Sequence, residues 1–177
     1  AIQDTQNQTQ QTQTIQSKNN QVWVGARVTL AEMRRQIESA VPEFAKFLDV
    51  FASPQNKNAA TLVGNIANAS PIADTPAFLL IANAVVIVSG KDGDREIPLE
   101  KFYLGYRQTA MKPNEMIVAI RFDIPQKNEI IKLRKSSQRK DLDISCVNVG
   151  FRLSMTENKI ADFKISMGGV AATPLRL

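Results

Sequence analysis

The sequence predicts an α+β chain: a larger mixed part over residues 22–125, then a smaller antiparallel-sheet part over residues 126–177. The first half carries apolar residues at helical spacing, as in Leu30, Met33 and Ile37. A continuous apolar run, Val85-Val86-Ile87-Val88, then meets the hairpin signal Asp92-Gly93. The last third alternates, through Val147, Val149, Phe151, Leu153 and Met155 and then through Ile160, Phe163, Ile165 and Met167.

Taken in order, residues 1–21 are mostly Gln, Thr and Asn and read as a disordered or linker-like segment. Val22 and Val24 around Trp23 predict a short buried strand running into Gly25-Ala26. Thr29-Leu30-Ala31-Glu32 has the form of a capping box at the head of the first helix. Pro42 opens a second helix with Phe44, Phe47, Leu48 and Phe51 on one face, a stripe suited to the core. Residues 53–60 read as a loop. Thr75-Pro76 starts another helix through about Asn83, with Asp74 as a candidate N-cap. The apolar run at residues 85–88 and the segment after Asp92-Gly93 predict a strand pair. Residues 101–109 cross over, and Pro113-Asn114-Glu115 precedes a strand through Met116, Val118, Ile120, Phe122 and Ile124. A turn at Glu157-Asn158 joins the final hairpin, whose apolar face is expected to be buried, and Gly168-Gly169 ends it.

Composition narrows the chemistry. A chain of 177 residues, 44% hydrophobic and 22% charged, is normal for a soluble globular protein of one domain. No apolar run reaches the length of a membrane span and the polar start is not a signal peptide, so no membrane partner and a cytoplasmic location are expected. The one cysteine, Cys146, excludes an intrachain disulfide, a four-cysteine zinc site and an iron–sulfur cluster held by this chain alone. The absence of histidine excludes His-dependent triads and His-ligated metals. The net charge is +5, and Lys132, Arg134, Lys135, Arg139 and Lys140 form the densest basic run. Aromatic residues are only 6%, and Asp141 and Asp143 interrupt that run, so nucleic acid is not expected. A solvated face and a cleft that attracts a phosphate-bearing cofactor are the two readings left.

Residues 64–74, Gly64-Asn65-Ile66-Ala67-Asn68-Ala69-Ser70-Pro71-Ile72-Ala73-Asp74, show neither helical nor strand periodicity and read as a shaped loop. Gly64 permits a close backbone approach, Asn65 and Asn68 offer amides, Thr61 and Ser70 hydroxyls and Asp74 a carboxylate. A plain surface turn has the same composition. A diphosphate flanked by sugar hydroxyls also suits these groups.

The order of residues, Thr-x-x-Gly-Asn-Ile-x-x-Ala-Ser-Pro-x-x-Asp over residues 61–74, resembles the second flavin-contacting loop of the xanthine dehydrogenase and carbon monoxide dehydrogenase family. Further stretches are similar in the same order: residues 24–30, residues 97–109 followed by Pro113-x-Glu115, residues 135–144 and Met167-Gly168-Gly169. The likeness runs from about residue 22 to Leu177. The family has two glycines where this chain has Val63-Gly64, and a diphosphate loop upstream that residues 1–21 do not match. The expectation is therefore a fragment: a flavin-binding subdomain of the FAD-binding type 2 kind without its usual upstream part, then a truncated C-terminal subdomain.

The resemblance implies that this chain holds FAD in a molybdenum hydroxylase. The iron–sulfur (2Fe–2S) clusters and the molybdenum cofactor would sit on partner domains or subunits, and FAD would deliver electrons to NAD or oxygen. It implies Thr61, Gly64, Asn65, Asn68 and Asp74 as cofactor-loop positions, Phe51, Ala52 and Ala60 as residues shaping the approach, Ile117 against the isoalloxazine or its neighbourhood, and Lys135 as a charge beside the cofactor. Core packing for Ile117 and a solvated lysine for Lys135 are equally open. A non-catalytic assembly module that kept the fold and lost FAD is the alternative function.

Overall fold

The computed structural model describes residues 12–139 and 142–177. Strands β1 (Ile15–Lys18) and β2 (Gln21–Gly25) form an antiparallel hairpin, with Ile15 opposite Val24. This corrects the linker reading over residues 15–21; residues 1–11 lie outside the described residues. The missed signal is the Asn19-Asn20 pair, both with positive φ (52° and 59°), the geometry of a two-residue hairpin turn.

Helix α1 (Leu30–Ile37) starts on a complete capping box: the Glu32 N–H donates to Thr29 Oγ1 and the Thr29 N–H to Glu32 Oε2. Its Leu30, Met33 and Ile37 are buried, as their spacing predicts. In α2 (Pro42–Asp49) proline takes the first turn and Phe44, Phe47 and Leu48 face inward. Phe51 lies beyond the helix end. Two stretches expected as loop are short helices, α3 (Pro54–Ala59) and α4 (Leu62–Ala67). Each begins on a hydroxyl cap, Ser53 and Thr61, that accepts the N–H three residues on. In α4 the burial of Leu62, Val63 and Ile66 outweighs the poor helix propensity of Gly64 and Asn65.

Helix α5 (Thr75–Ile81) is buried on every side, the signature of a central helix. Then follow β3 (Val85–Gly90), β4 (Gly93–Pro98), the single turn α6 (Leu99–Phe102), β5 (Tyr103–Gly105), β6 (Gln108–Thr109) and β7 (Met116–Asp123). The chain closes with β8 (Glu129–Ser136), β9 (Val147–Thr156), β10 (Lys159–Gly168) and β11 (Leu175–Arg176). The first sheet has the order β1-β2-β7-β3-β4 and the second β11-β10-β9-β8, with neighbours antiparallel throughout.

One aromatic cluster ties the helices to the first sheet. Phe44 of α2 stacks on Phe78 of α5 at 4.2 Å, and the ring of Phe122 in β7 meets Phe78 edge-on at 5.4 Å.

The second sheet packs on α5 with the opposite face from the one its alternation suggests. Asn148, Gly150, Arg152, Ser166 and Gly168 are turned inward, whereas Val147, Val149, Phe151, Leu153 and Ile165 are half-buried and Phe163 exposed. The cause is the backbone of α5. A helix ends with carbonyls that lack intrahelical partners, and in a buried helix another element must supply the donors. Of these terminal carbonyls Leu80 accepts from Arg176 Nη1 at 3.2 Å and Ile81 from Arg152 Nη1 at 3.2 Å, and Ser166 Oγ adds a bond to the Ala77 carbonyl one turn earlier. Gly150 provides the room: a Cβ there would collide with the Ala77 carbonyl oxygen. Two cations at the helix C-terminus also suit its dipole, and Glu129 neutralises Arg152 through a buried pair at 2.8 Å.

Candidate functional site

A cleft of about 350 Å³ opens where the segments around α3 and α4 meet the end of β8 and the connection that follows it. It is lined by Phe51, Ala52, Asn65, Asn68, Asp74 and Lys135 from among the residues picked out in the sequence. Ser53, Asn56, Ser70, Ile72, Asp143, Ile144 and Ser145 complete much of the wall.

Local structure explains how these groups converge. Thr61 Oγ1 accepts the Gly64 N–H at 2.9 Å, and the Leu30 N–H donates to the Ala60 carbonyl at 2.8 Å, so the start of α4 is tied to the start of α1. Gly64 sits inside the first turn of α4 rather than in a left-handed turn; a Cβ there would crowd Thr61 Oγ1 at 3.2 Å and meet nothing else within 4 Å. Asn65 Oδ1 accepts from Thr75 Oγ1 at 2.5 Å, which leaves the amide nitrogen of Asn65 without a bonded partner among the described residues. Ala52 holds a φ of 51°, a left-handed conformation that costs a residue with a side chain roughly 1–2 kcal/mol.

The polar centre of the cleft wall is Asp74. Its side chain makes no helix-cap bond, contrary to the N-cap expectation. It turns instead toward the second sheet, where Lys135 Nζ reaches Oδ2 at 2.8 Å and both Ser145 Oγ and Asn148 Nδ2 donate to Oδ1. The pair is buried, with side-chain exposures of 8% for Lys135 and 5% for Asp74. An ion pair this dry persists only when its other valences are satisfied, and the serine and asparagine satisfy them. Among the described residues Asp74 is the sole bonded partner of the Lys135 ammonium, which has two further N–H donors beside the cleft.

Four sequence candidates stand elsewhere. Thr61 and Gly64 form the cap of α4, Ala60 anchors it to α1, and Ile117 is a core residue of β7 with 5% exposure. The basic run is divided. Lys135 turns inward to Asp74, Lys132 pairs with Glu43 at 3.6 Å, Arg139 pairs with Asp143 at 3.3 Å, and Lys140 and Asp141 lie outside the described residues. Arg134, Lys135, Arg139 and Lys46 border a second cleft of about 520 Å³. Ser145 and Asn148 escaped the sequence reading, because Asn148 alternates with Val147 and Val149 and so looks like a residue of a solvated sheet face.

The pattern of the FAD-binding domain in molybdopterin dehydrogenases matches residues 7–127, more than half of the chain. The chain belongs to that family. Residues 132–177 match the C-terminal domain of the CO dehydrogenase flavoprotein. Among relatives of this FAD-binding domain, the xanthine dehydrogenase of Emericella nidulans is 31% identical over 86% of this chain, and the xanthine dehydrogenase/oxidase of Gallus gallus 30% identical over 91%. The chain spans 12% and 13% of their respective lengths. Among solved structures, the domain superposes on a carbon monoxide dehydrogenase chain from Hydrogenophaga pseudoflava with a TM-score of 0.89 at 24% identity, covering 94% of this chain and 58% of that one. A reconstituted CO dehydrogenase from Oligotropha carboxidovorans gives 0.88 at 26% identity, with the same coverage. Among the described residues no helix is long and apolar enough to cross a membrane.

Proposed function

We propose that the cleft around Asp74 and Lys135 forms one wall of an FAD site, and that the chain serves as the flavin segment of a xanthine dehydrogenase-like molybdenum hydroxylase. Electrons would arrive from iron–sulfur clusters and leave to NAD or oxygen. The observation that carries the reading is the convergence of Asn65, Asn68, Asp74 and Lys135 on one cleft, within a chain of an FAD-binding family. We further infer a division into a flavin-binding part over residues 22–125 and a C-terminal part over residues 126–177, with the hairpin partner β1 joined to the first.

The donor set fits the cofactor. Phe51, Ile72 and Ile144 supply apolar surface for a flat ring system, the amides of Asn65 and Asn68 supply hydrogen bonds, and Lys135 supplies positive charge. FAD, when bound, supplies the electron-transfer chemistry, and the chain supplies orientation and electrostatics. Lys135 favours negative charge at the cleft because it lies in a water-poor wall, where a fixed cation acts more strongly than in solution. Asp74 holds that cation in place and limits its net field. Thr61, Gly64 and Ala60 fix the turn that presents Asn65. Ile117 remains a core residue of β7, and Ala52, with its left-handed φ, follows Phe51 in the cleft wall.

Purification of the intact protein and its absorbance spectrum test this reading. Bound flavin should appear with its visible bands, one FAD per chain, and Asn65→Ala with Lys135→Met should release it. A protein without flavin bands that also takes up no added FAD would support the assembly-module alternative.

A further inference from the structure

Around Asp74 the structure spends more on polar order than an ion pair needs. Lys135 and Asn148 are directly opposite one another on β8 and β9, and both bond the same carboxylate, one on each oxygen. Asn148 Nδ2 also lies 3.2 Å from the Ala73 carbonyl oxygen and 3.4 Å from that of Ile72. Three acceptors therefore fix its amide as a donor toward α5. The Asn148 Oδ1 is buried without a partner among the described residues, in a residue only 1% exposed. Such a group is costly. Room for it comes from Gly168 on β10, where a Cβ would clash with the Asn148 amide. Ser145, 4% exposed at the end of the connection between β8 and β9, gives Asp74 Oδ1 its second donor.

We propose that Ser145 and Asn148 are positioning residues: by both donating to Oδ1 of Asp74 they fix the carboxylate whose Oδ2 holds the Lys135 ammonium at the cleft, and so tune the reduction potential of the flavin. The inference rests on the FAD reading of the cleft. Its logic is electrostatic. Asp74 is the counter-charge of Lys135, and a carboxylate free to rotate would follow the ammonium and neutralise it more completely. A carboxylate held at Oδ1 from the far side leaves Lys135 with N–H donors for the ligand. A cation so placed favours the more negative, reduced form of a flavin. Loss of the Ser145 hydroxyl should weaken that hold without removing either charge.

The test uses the intact protein reconstituted with FAD, in the wild type and in Ser145→Ala, Ser145→Thr and Lys135→Met. The readouts are the flavin midpoint potential and the FAD dissociation constant. Ser145→Ala should lower the potential in the same direction as Lys135→Met and weaken FAD binding by about tenfold, the loss of roughly one hydrogen bond to a charged group. Ser145→Thr, which keeps the hydroxyl, should restore both. If Lys135→Met shifts the potential and Ser145→Ala does not, the positioning role is wrong. If neither variant moves the potential or the affinity, the FAD reading of the cleft is wrong. Circular dichroism and melting follow folding, and if Ser145→Ala does not fold, Ser145→Cys, a weaker donor, replaces it under the same criteria.

Discussion

Replacing Asp74 by alanine should destabilise the fold far more than replacing the Asp74–Lys135 pair as a whole. In the wild type the carboxylate accepts from Lys135 at 2.8 Å, from Ser145 and from Asn148 at 3.2 Å. Asp74→Ala leaves the ammonium of Lys135 in a site where its side chain is only 8% exposed, with no counter-charge. Removing one partner of a buried pair costs about 3–5 kcal/mol. Nearness to the cleft lets water reach the vacated space, so the two neutral donors should add little beyond that range. At about 2–4 °C per kcal/mol for a chain of this size, the melting temperature should fall by roughly 6–20 °C. The double variant Asp74→Leu with Lys135→Met removes both charges and fills the space with apolar groups, which is often close to neutral. Urea denaturation of wild type, Asp74→Leu, Lys135→Met and the double gives the coupling directly, provided the m values agree, with Asp74→Ala measured alongside. A cost below about 1 kcal/mol for Asp74→Ala, or a double as unstable as the sum of its parts, would refute the argument that burial makes this pair interdependent.

Two other outcomes follow from geometry. Gly150→Ala should cost about 1–3 kcal/mol by overpacking, read as a lower urea midpoint, because its Cβ would meet the Ala77 backbone and Ser166 Oγ, neither of which can move freely. Acid should weaken the contact of Glu115, whose carboxyl is held down to about 2 by its Arg95 hydrogen bonds first and then by the Lys112 N–H. Because the folded value lies below the ordinary 4.5, its stabilisation is present above about pH 4.5 and lost as pH falls toward 2. Melting temperatures measured across that window should decline more steeply for wild type than for Glu115→Gln; equal slopes would exclude the Arg95–Glu115 contact as the source.

Local patterns were legible without coordinates wherever one residue's neighbours along the chain decide its role. The capping box at Thr29 and Glu32, the proline opening α2, the apolar run of β3 and the Asp92-Gly93 turn all depend on contacts a few residues apart. The motif over residues 61–74 likewise pointed to the cleft, because its order is specific enough to mark a family. The helical character of α3 and α4 was obscured by Asn and, in α4, Gly, whose weak propensities are overridden by hydroxyl caps and, in α4, by burial. What lay beyond reach was the orientation of the second sheet. Its alternation of Val and Phe with Asn, Gly, Arg and Ser is symmetric to inspection, since either face satisfies a period of two. The choice belongs to α5, a helix buried on every side whose terminal carbonyls at Leu80 and Ile81 require donors. Arg152 and Arg176 supply them, and Ser166 adds a bond to Ala77, so the polar face turns inward. The same turn carries Asn148 and Lys135 to Asp74, residues 74 and 61 positions away in the chain. The residue types at the cleft are thus written in the sequence, whereas their assembly around one carboxylate is a consequence of satisfying the backbone of a buried helix.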